Sequence, residues 1–378
     1  MTGINKRTYF LDYLKGIIIV LVVMLHTAVT YSGVGNWHYI DAEKTGMVTK
    51  LLSALFVAFT NSYFMGLMFL IAGYFSAKSL ASKTRKKYVI GRVERLGLPW
   101  LVFTLGIYPL TLFILYMAKE KQIMHESFFS FYLEYVKTFE FLNGSGPLWF
   151  VLALLIFSII YALVGNKKNV KASTLPSFSI TTVVIVLAGV VSFIIRTKFH
   201  FNDEFLNIPM SFIWMHSVMY FIGIKAYQGD WFNQISYHYS KKWLIATIIL
   251  GIVIWICIIM FGGVLKHGQG ILDGNMNWQS IIYAIWESFV CIGMSIGMIG
   301  FFKEKFNKRN VLLTGLSKNS FAVYVWHTPV LICISLLFRN SNMYAVLKIL
   351  VVGGIALITS YLLSHYVFRR LPILKRIM

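Results

Sequence analysis

Leu11-Asp12-Tyr13-Leu14-Lys15-Gly16-Ile17-Ile18-Ile19-Val20-Leu21-Val22-Val23-Met24-Leu25-His26 opens an apolar run that continues to Tyr31. Such a run satisfies its own backbone polar groups in lipid only as a helix, so the chain's first element reads as a membrane span. His26 follows Lys15 by eleven residues. At about 100° per residue that falls ~20° short of whole turns, so the two side chains share a face about 16 Å apart. Asp12, three residues before Lys15, is within side-chain reach on the same face. Snorkelling of Lys15 to the headgroups and plain interhelical packing of His26 are the modest alternatives. Ionisable groups at membrane depth are costly, however, and a cation and an imidazole on one stripe point to a path rather than an anchor.

The rest of the chain agrees with a membrane protein. Its 378 residues are 58% hydrophobic and 16% aromatic, with a mean hydropathy of +0.70, beyond the range of soluble domains. The net charge of +21 does not indicate a nucleic-acid partner, because the cations lie in short blocks between apolar runs. Cys257, Cys291 and Cys333 fall inside apolar runs and imply no disulfide framework. No cleavable signal pattern is evident, since the first run is too long.

Ten spans are expected, at roughly 10–31, 53–75, 96–118, 147–165, 178–196, 209–225, 243–263, 281–302, 317–338 and 343–367. Alternate loops carry the cations: Lys78, Lys83, Arg85, Lys86, Lys87, Arg92 and Arg95, then Lys167, Lys168 and Lys171, then Lys241 and Lys242. Lys303, Lys305, Lys308 and Arg309 follow, and Arg369, Arg370, Lys375 and Arg376 come last. The other loops hold most of the acids, including Asp41, Glu43, Glu120, Glu126, Asp203, Glu204 and Asp273. The positive-inside rule then places both termini in the cytoplasm. The expected fold is an all-α integral membrane protein, a bundle of about ten transmembrane helices. It forms a single domain over 1–378 with no appended soluble domain and no internal repeat.

The outer loop after the first span contains Trp37-His38-Tyr39-Ile40-Asp41. Aromatic faces stack on sugar rings and carboxylates bond hydroxyls, so Trp37 and Asp41 are candidates to bind substrate; an ordinary interfacial aromatic belt is the alternative. After the second span, Arg92 and Arg95 fall one helical turn apart, a fork suited to phosphate, although positive-inside charge accounts for most of that loop.

Lys15, ten intervening residues and His26, followed by Arg92-x-x-Arg95, resemble the signature of the membrane acyltransferase-3 family. Leu11-Asp12-Tyr13-Leu14-Lys15-Gly16, Ile71-Ala72-Gly73-Tyr74-Phe75 and Arg95-Leu96-Gly97-Leu98-Pro99 are similar too. So are Gly146-Pro147-Leu148-Trp149-Phe150 and Ser320 to Pro329, the latter containing Tyr324 and His327. The resemblance covers nearly the whole chain. It implies an O-acyltransferase of a bacterial cytoplasmic membrane that takes an acyl group, acetyl or succinyl, from cytoplasmic acyl-CoA. The implied acceptor is a hydroxyl of a carbohydrate, cell-envelope glycan or lipid, with the glucan-modifying branch nearest in feel. On that reading Lys15, Arg92 and Arg95 bind the donor's phosphates, and His26 is general base or acyl relay. Trp149 and His327, in matched stretches, join Trp37 and Asp41 as substrate-binding candidates.

Glu287, in Trp286-Glu287-Ser288, is the acid placed deep in a span, about six to eight residues from its outer end, as is His216. That is roughly 9–12 Å of depth at 1.5 Å per residue, comparable to His26, so Glu287 is expected to orient or charge-stabilise its imidazole; pairing to Lys348 is the structural alternative. No metal is expected. The rival function is a transporter or exporter with a proton relay through His26, His216 and Glu287, which leaves the Arg92/Arg95 fork unexplained.

Overall fold

A computed structural model describes residues 8–43, 45–118, 127–165, 173–367 and 370. Glu120, Glu126, Lys167, Lys168, Lys171, Arg369, Lys375 and Arg376 of the charge pattern lie outside them.

The regular structure of the described residues is helical apart from a hairpin of two two-residue strands, Glu204–Phe205 against Ile208–Pro209. Its helices are α1 (Tyr9–Ser32), α2 (Met47–Ala81), α3 (Arg85–Ala118), α4 (Phe128–Lys137), α5 (Trp149–Val164) and α6 (Phe178–Arg196). After these come α7 (Ile213–Gln228), α8 (Tyr237–Phe261), α9 (Trp278–Lys305), α10 (Val311–Leu337) and α11 (Ala345–Tyr366). Side chains of Thr84, Ser177, Ser236, Asn277 and Asn310 accept orphan amides at the starts of α3, α6, α8, α9 and α10.

Among the described residues nine helical segments are long and apolar enough to cross a membrane. The sixth expected span is α7, sixteen residues long, shortened at its start by Pro209 and a 3₁₀ turn over Met210–Phe212. It still links the two faces. Ser145 donates to Asn207 Oδ1 at 2.9 Å just before α7, and Lys303 at the far end of α9 donates to the carbonyls of Phe232, Asn233 and Ile235 just after it. Loops of equal charge character meet in this way throughout. Arg85 reaches the Gly165 carbonyl on the cation-rich face, while Asp41 pairs with Lys348 at 2.9 Å on the opposite face.

α7 packs closely on α2, backbone against backbone. A Cβ at Gly73 would overlap the Tyr220 carbonyl, and one at Gly223 the Leu70 carbonyl. Small residues at a helix crossing are what lipid-embedded packing favours, since dispersion rather than hydrophobic transfer holds such helices together.

α3 departs from the expected 96–118. It begins at Arg85, so the basic stretch is helical, and it contains two π turns, Val93–Gly97 and Phe103–Ile107. Each turn ends two residues before a proline, Pro99 or Pro109. A proline ring clashes with the carbonyl four residues back, and widening the turn by one residue relieves the clash. In the second π turn the Thr104 carbonyl faces Pro109, which has no N–H to give. Tyr135 from the amphipathic α4 donates its hydroxyl to that carbonyl at 2.8 Å and fastens α4 to the bundle.

Candidate active site

His26 lies seventeen residues into α1, toward the face opposite the cations. Gly33 closes α1 at φ 68° and Gly35 follows at φ 103°, backbone conformations that turn the chain back over the helix end. The returning loop lays the Trp37 indole on the His26 imidazole, with ring centroids 3.7 Å apart and planes 17° from parallel. Asp41 holds this loop twice, by its N–H to the Thr30 carbonyl at 2.8 Å and by its carboxylate to Lys348.

His327, from α10, stacks beside His26 at 5.4 Å and 15°. Its Nδ1 sits 2.6 Å from the Tyr324 carbonyl, and its Nε2 is buried without a partner, as is His26 Nδ1. Tyr324 donates its hydroxyl to the Pro147 carbonyl. His38 lies against Trp37 at 4.8 Å with its ring tilted by 50°, and meets Tyr108 edge-on at 5.5 Å. The result is an imidazole pair walled by aromatic rings, with free ring nitrogens inside.

A second polar cluster lies on the other side of the Gly146–Phe150 stretch. Phe150 packs on Tyr324, while Trp149 stacks on His216 at 5.4 Å. Arg196 at the end of α6 forms an ion pair with Glu287 of α9, only 3% and 9% exposed respectively. Phe201 and Phe212 flank the guanidinium at 5.0 and 4.8 Å. Arg196, Glu287, His216, Asn61, Ser62 and Ser288 line one cavity with room for water. Among the described residues no hydrogen bond or ion pair joins Glu287 to His26. Its carboxylate is committed to Arg196, while Lys348, the alternative partner, is taken by Asp41. Arg196, the last residue of α6, thus supplies the cation that the buried Glu287 carboxylate needs.

On the cation-rich side Lys15 pairs with Asp12 at 3.0 Å and lies 4.9 Å over the Phe75 ring. Arg92 turns into the bundle, donating to Ser76 at 3.1 Å over the face of Tyr88. Arg95 falls in the first π turn and stays exposed. The widened turn sets the two guanidinium groups in different surroundings, so the expected fork has one anchored and one open arm.

The acyltransferase-domain family matches residues 8–365, which include both clusters and every element from α1 to α11 except the last residue of α11. The chain belongs to the membrane acyltransferase-3 family. Glucans biosynthesis protein C of Escherichia coli, in strain K12 and in the O157:H7 strain EC4115, is 28% identical to this acyltransferase-3 chain over 224 residues. The alignment covers 57% of the chain and 56% of that protein, so the chain spans about half the length of the curated relatives it matches. No solved structure matches it.

Proposed function

We propose that this chain is an O-acyltransferase that moves an acetyl or succinyl group from acyl-CoA on the cation-rich, cytoplasmic face to a hydroxyl of a carbohydrate, cell-envelope glycan or lipid. The observation that carries the reading is the His26 imidazole, stacked on Trp37 and lying beside His327 with a buried, unpartnered Nδ1, on the same helix as Lys15. The family supports acyl transfer, and the relative's name, which concerns glucan biosynthesis, supports a carbohydrate acceptor.

In this reading Lys15, Arg92 and the exposed Arg95 neutralise the phosphates of coenzyme A. The pantetheine arm runs along α1, where eleven residues carry it about 16 Å from Lys15 to His26. The acceptor oxygen attacks the thioester carbonyl carbon, the carbon–sulfur bond breaks, and coenzyme A leaves as its thiol. His26 has two ways to serve: as the base that takes the hydroxyl proton and returns it to the thiolate, or as the carrier of the acyl group. Trp37 and His327 border His26 and are the residues that would meet a sugar ring, while Trp149, stacked on His216, stands in the other cluster. The working location is the cytoplasmic membrane of a bacterium. The exporter alternative needs His26, His216 and Glu287 in one relay. His216 and Glu287 line one cavity and His26 stands in the other cluster, so no observation favours it.

The test is transfer by purified protein from radiolabelled acetyl- or succinyl-CoA to a glucan acceptor. His26→Ala is expected to lower transfer by at least about 10²-fold, in the range of a lost acid–base group, while eluting as the folded protein does. Activity of that variant near wild type would overturn the assignment.

A further inference from the structure

The His327 side chain does more than its packing requires. It is fully buried, and its Nδ1 lies 2.6 Å from the backbone carbonyl of Tyr324. A carbonyl only accepts, so Nδ1 carries the proton and Nε2 presents a lone pair. That Nε2 is buried without a partner. A buried lone pair left without a donor carries a desolvation cost, which a working base tolerates. Pro329, two residues on, removes the N–H that would have bonded the Val325 carbonyl and loosens the turn in which the ring meets Tyr324. Tyr324 is in turn fixed by its hydroxyl on the Pro147 carbonyl, so the tautomer of His327 is set by a braced backbone.

The second imidazole stands 5.4 Å from the first, nearly parallel to it, with Trp37 spanning both at 3.7 and 6.4 Å. One imidazole suffices for a single-base transfer. Two, each with a free nitrogen, suit a reaction in two halves, because a ring nitrogen that has taken an acyl group can no longer take a proton.

Resting on the reading of His26 above, we propose that His26 carries the acyl group and that His327 Nε2 is the base of the second half-reaction. In the first half a neutral His26 nitrogen attacks the thioester carbonyl, the carbon–sulfur bond breaks, and the departing thiolate takes the His26 ring proton to give coenzyme A thiol and N-acyl-His26. In the second, the acceptor oxygen attacks the acyl carbon while His327 Nε2 takes the hydroxyl proton. The carbon–nitrogen bond breaks, the ester leaves, and the proton passes to the freed His26 nitrogen. Neither half needs another reactant.

Rapid-quench measurement of thiol release and protein-bound label, using radiolabelled acyl-CoA with and without glucan acceptor, tests this. Wild type without acceptor is expected to release about one thiol per protein and to hold the label. His327→Asn keeps a side-chain N–H for the Tyr324 carbonyl but removes the base. It is expected to retain that release while transfer to acceptor falls about 100-fold, and added imidazole is expected to restore part of the transfer in His327→Ala. Absence of acceptor-independent thiol release in wild type overturns the proposal whatever the variants do. Equal loss of thiol release and transfer in a folded His327→Asn also overturns it. In both cases a dead His26→Ala leaves the broader reading standing, whereas an active His26→Ala removes that reading itself.

Discussion

Arg92 and Arg95 are three positions apart in the chain but have unequal freedom. Arg92 already spends one nitrogen on Ser76 and lies over Tyr88, whereas Arg95 is exposed. A charge-assisted phosphate contact contributes about 1.5–3 kcal/mol, so Arg95→Ala is expected to weaken coenzyme A binding by roughly 10–100-fold. The loss should shrink in 1 M salt, where the Debye length is about 3 Å. Arg92→Ala should weaken binding too, with a drop in thermal stability that Arg95→Ala lacks. Titration calorimetry at two salt concentrations reads both, and unchanged affinity in both variants would leave these arginines as topogenic charges alone. At this scale the spacing of Lys15 and His26 on α1 could be read from periodicity, because a single regular helix joins them. The partners of His26 could not. Trp37 reaches it through a turn set by Gly33 and Gly35, and His327 comes from a helix about three hundred residues further along the chain, a separation to which no local rule applies.

The elements add what single residues conceal. α6 and α9 are joined at one end by the Arg196–Glu287 pair, buried among Phe201 and Phe212. Removing one member leaves the other charged in an apolar setting, so Glu287→Ala is expected to cost about 3–5 kcal/mol, and Arg196→Met with Glu287→Met much less than the sum of the single changes. Denaturation of purified variants in detergent checks this, and an undiminished midpoint for Glu287→Ala would argue that the pair does not form. Just beyond the same helix end, Asp273 accepts the Phe201 N–H at 2.7 Å and faces His200 at 3.8 Å. Burial outweighs these contacts and pushes the Asp273 carboxyl above its usual range. With the folded value raised, the ionised form is the one folding disfavours at neutral pH, and the penalty lifts as pH falls through the raised value. Asp273→Asn should therefore match or exceed wild-type melting temperature at pH 7, with the difference fading toward acid; a difference that grows toward acid would refute the sign. Most spans were legible as apolar runs. α7 was not given its limits, because Pro209 and a 3₁₀ turn trim it, and the helical start of α3 was hidden under charge.

For the molecule as a whole, hydrogen bonds between loops of like charge character separate two faces, and the positive-inside rule leads us to expect the cation-rich one to be inner. With the native cysteines replaced, Phe205→Cys should react in intact cells with a membrane-impermeant maleimide, and Ser82→Cys only after the membrane is opened. The reverse pattern would invert the topology and move the donor site outside. The number of crossings and their alternation follow from hydropathy and charge, which act over the length of a span. The division of the interior into a His26–His327 pair under Trp37 and an Arg196–Glu287 cavity, with Gly146–Phe150 between them, depends on contacts across the bundle and has no sequence period. α3 touches both ends of this architecture, with Arg92 near one face and Tyr108 near the other. Each of its π turns is in effect a one-residue insertion absorbed where it occurs, so the ~100° that an extra residue would add is not passed on to the rest of the helix. Deleting a single residue from the Phe103–Ile107 turn would therefore restore an ordinary α-helical turn there and leave Tyr108 aimed at His38 and Arg92 and Arg95 aimed as before. The wide turns are slack links in one rod, and a length change of one residue, ordinarily ruinous within a membrane helix, can be taken up in them without re-aiming either end.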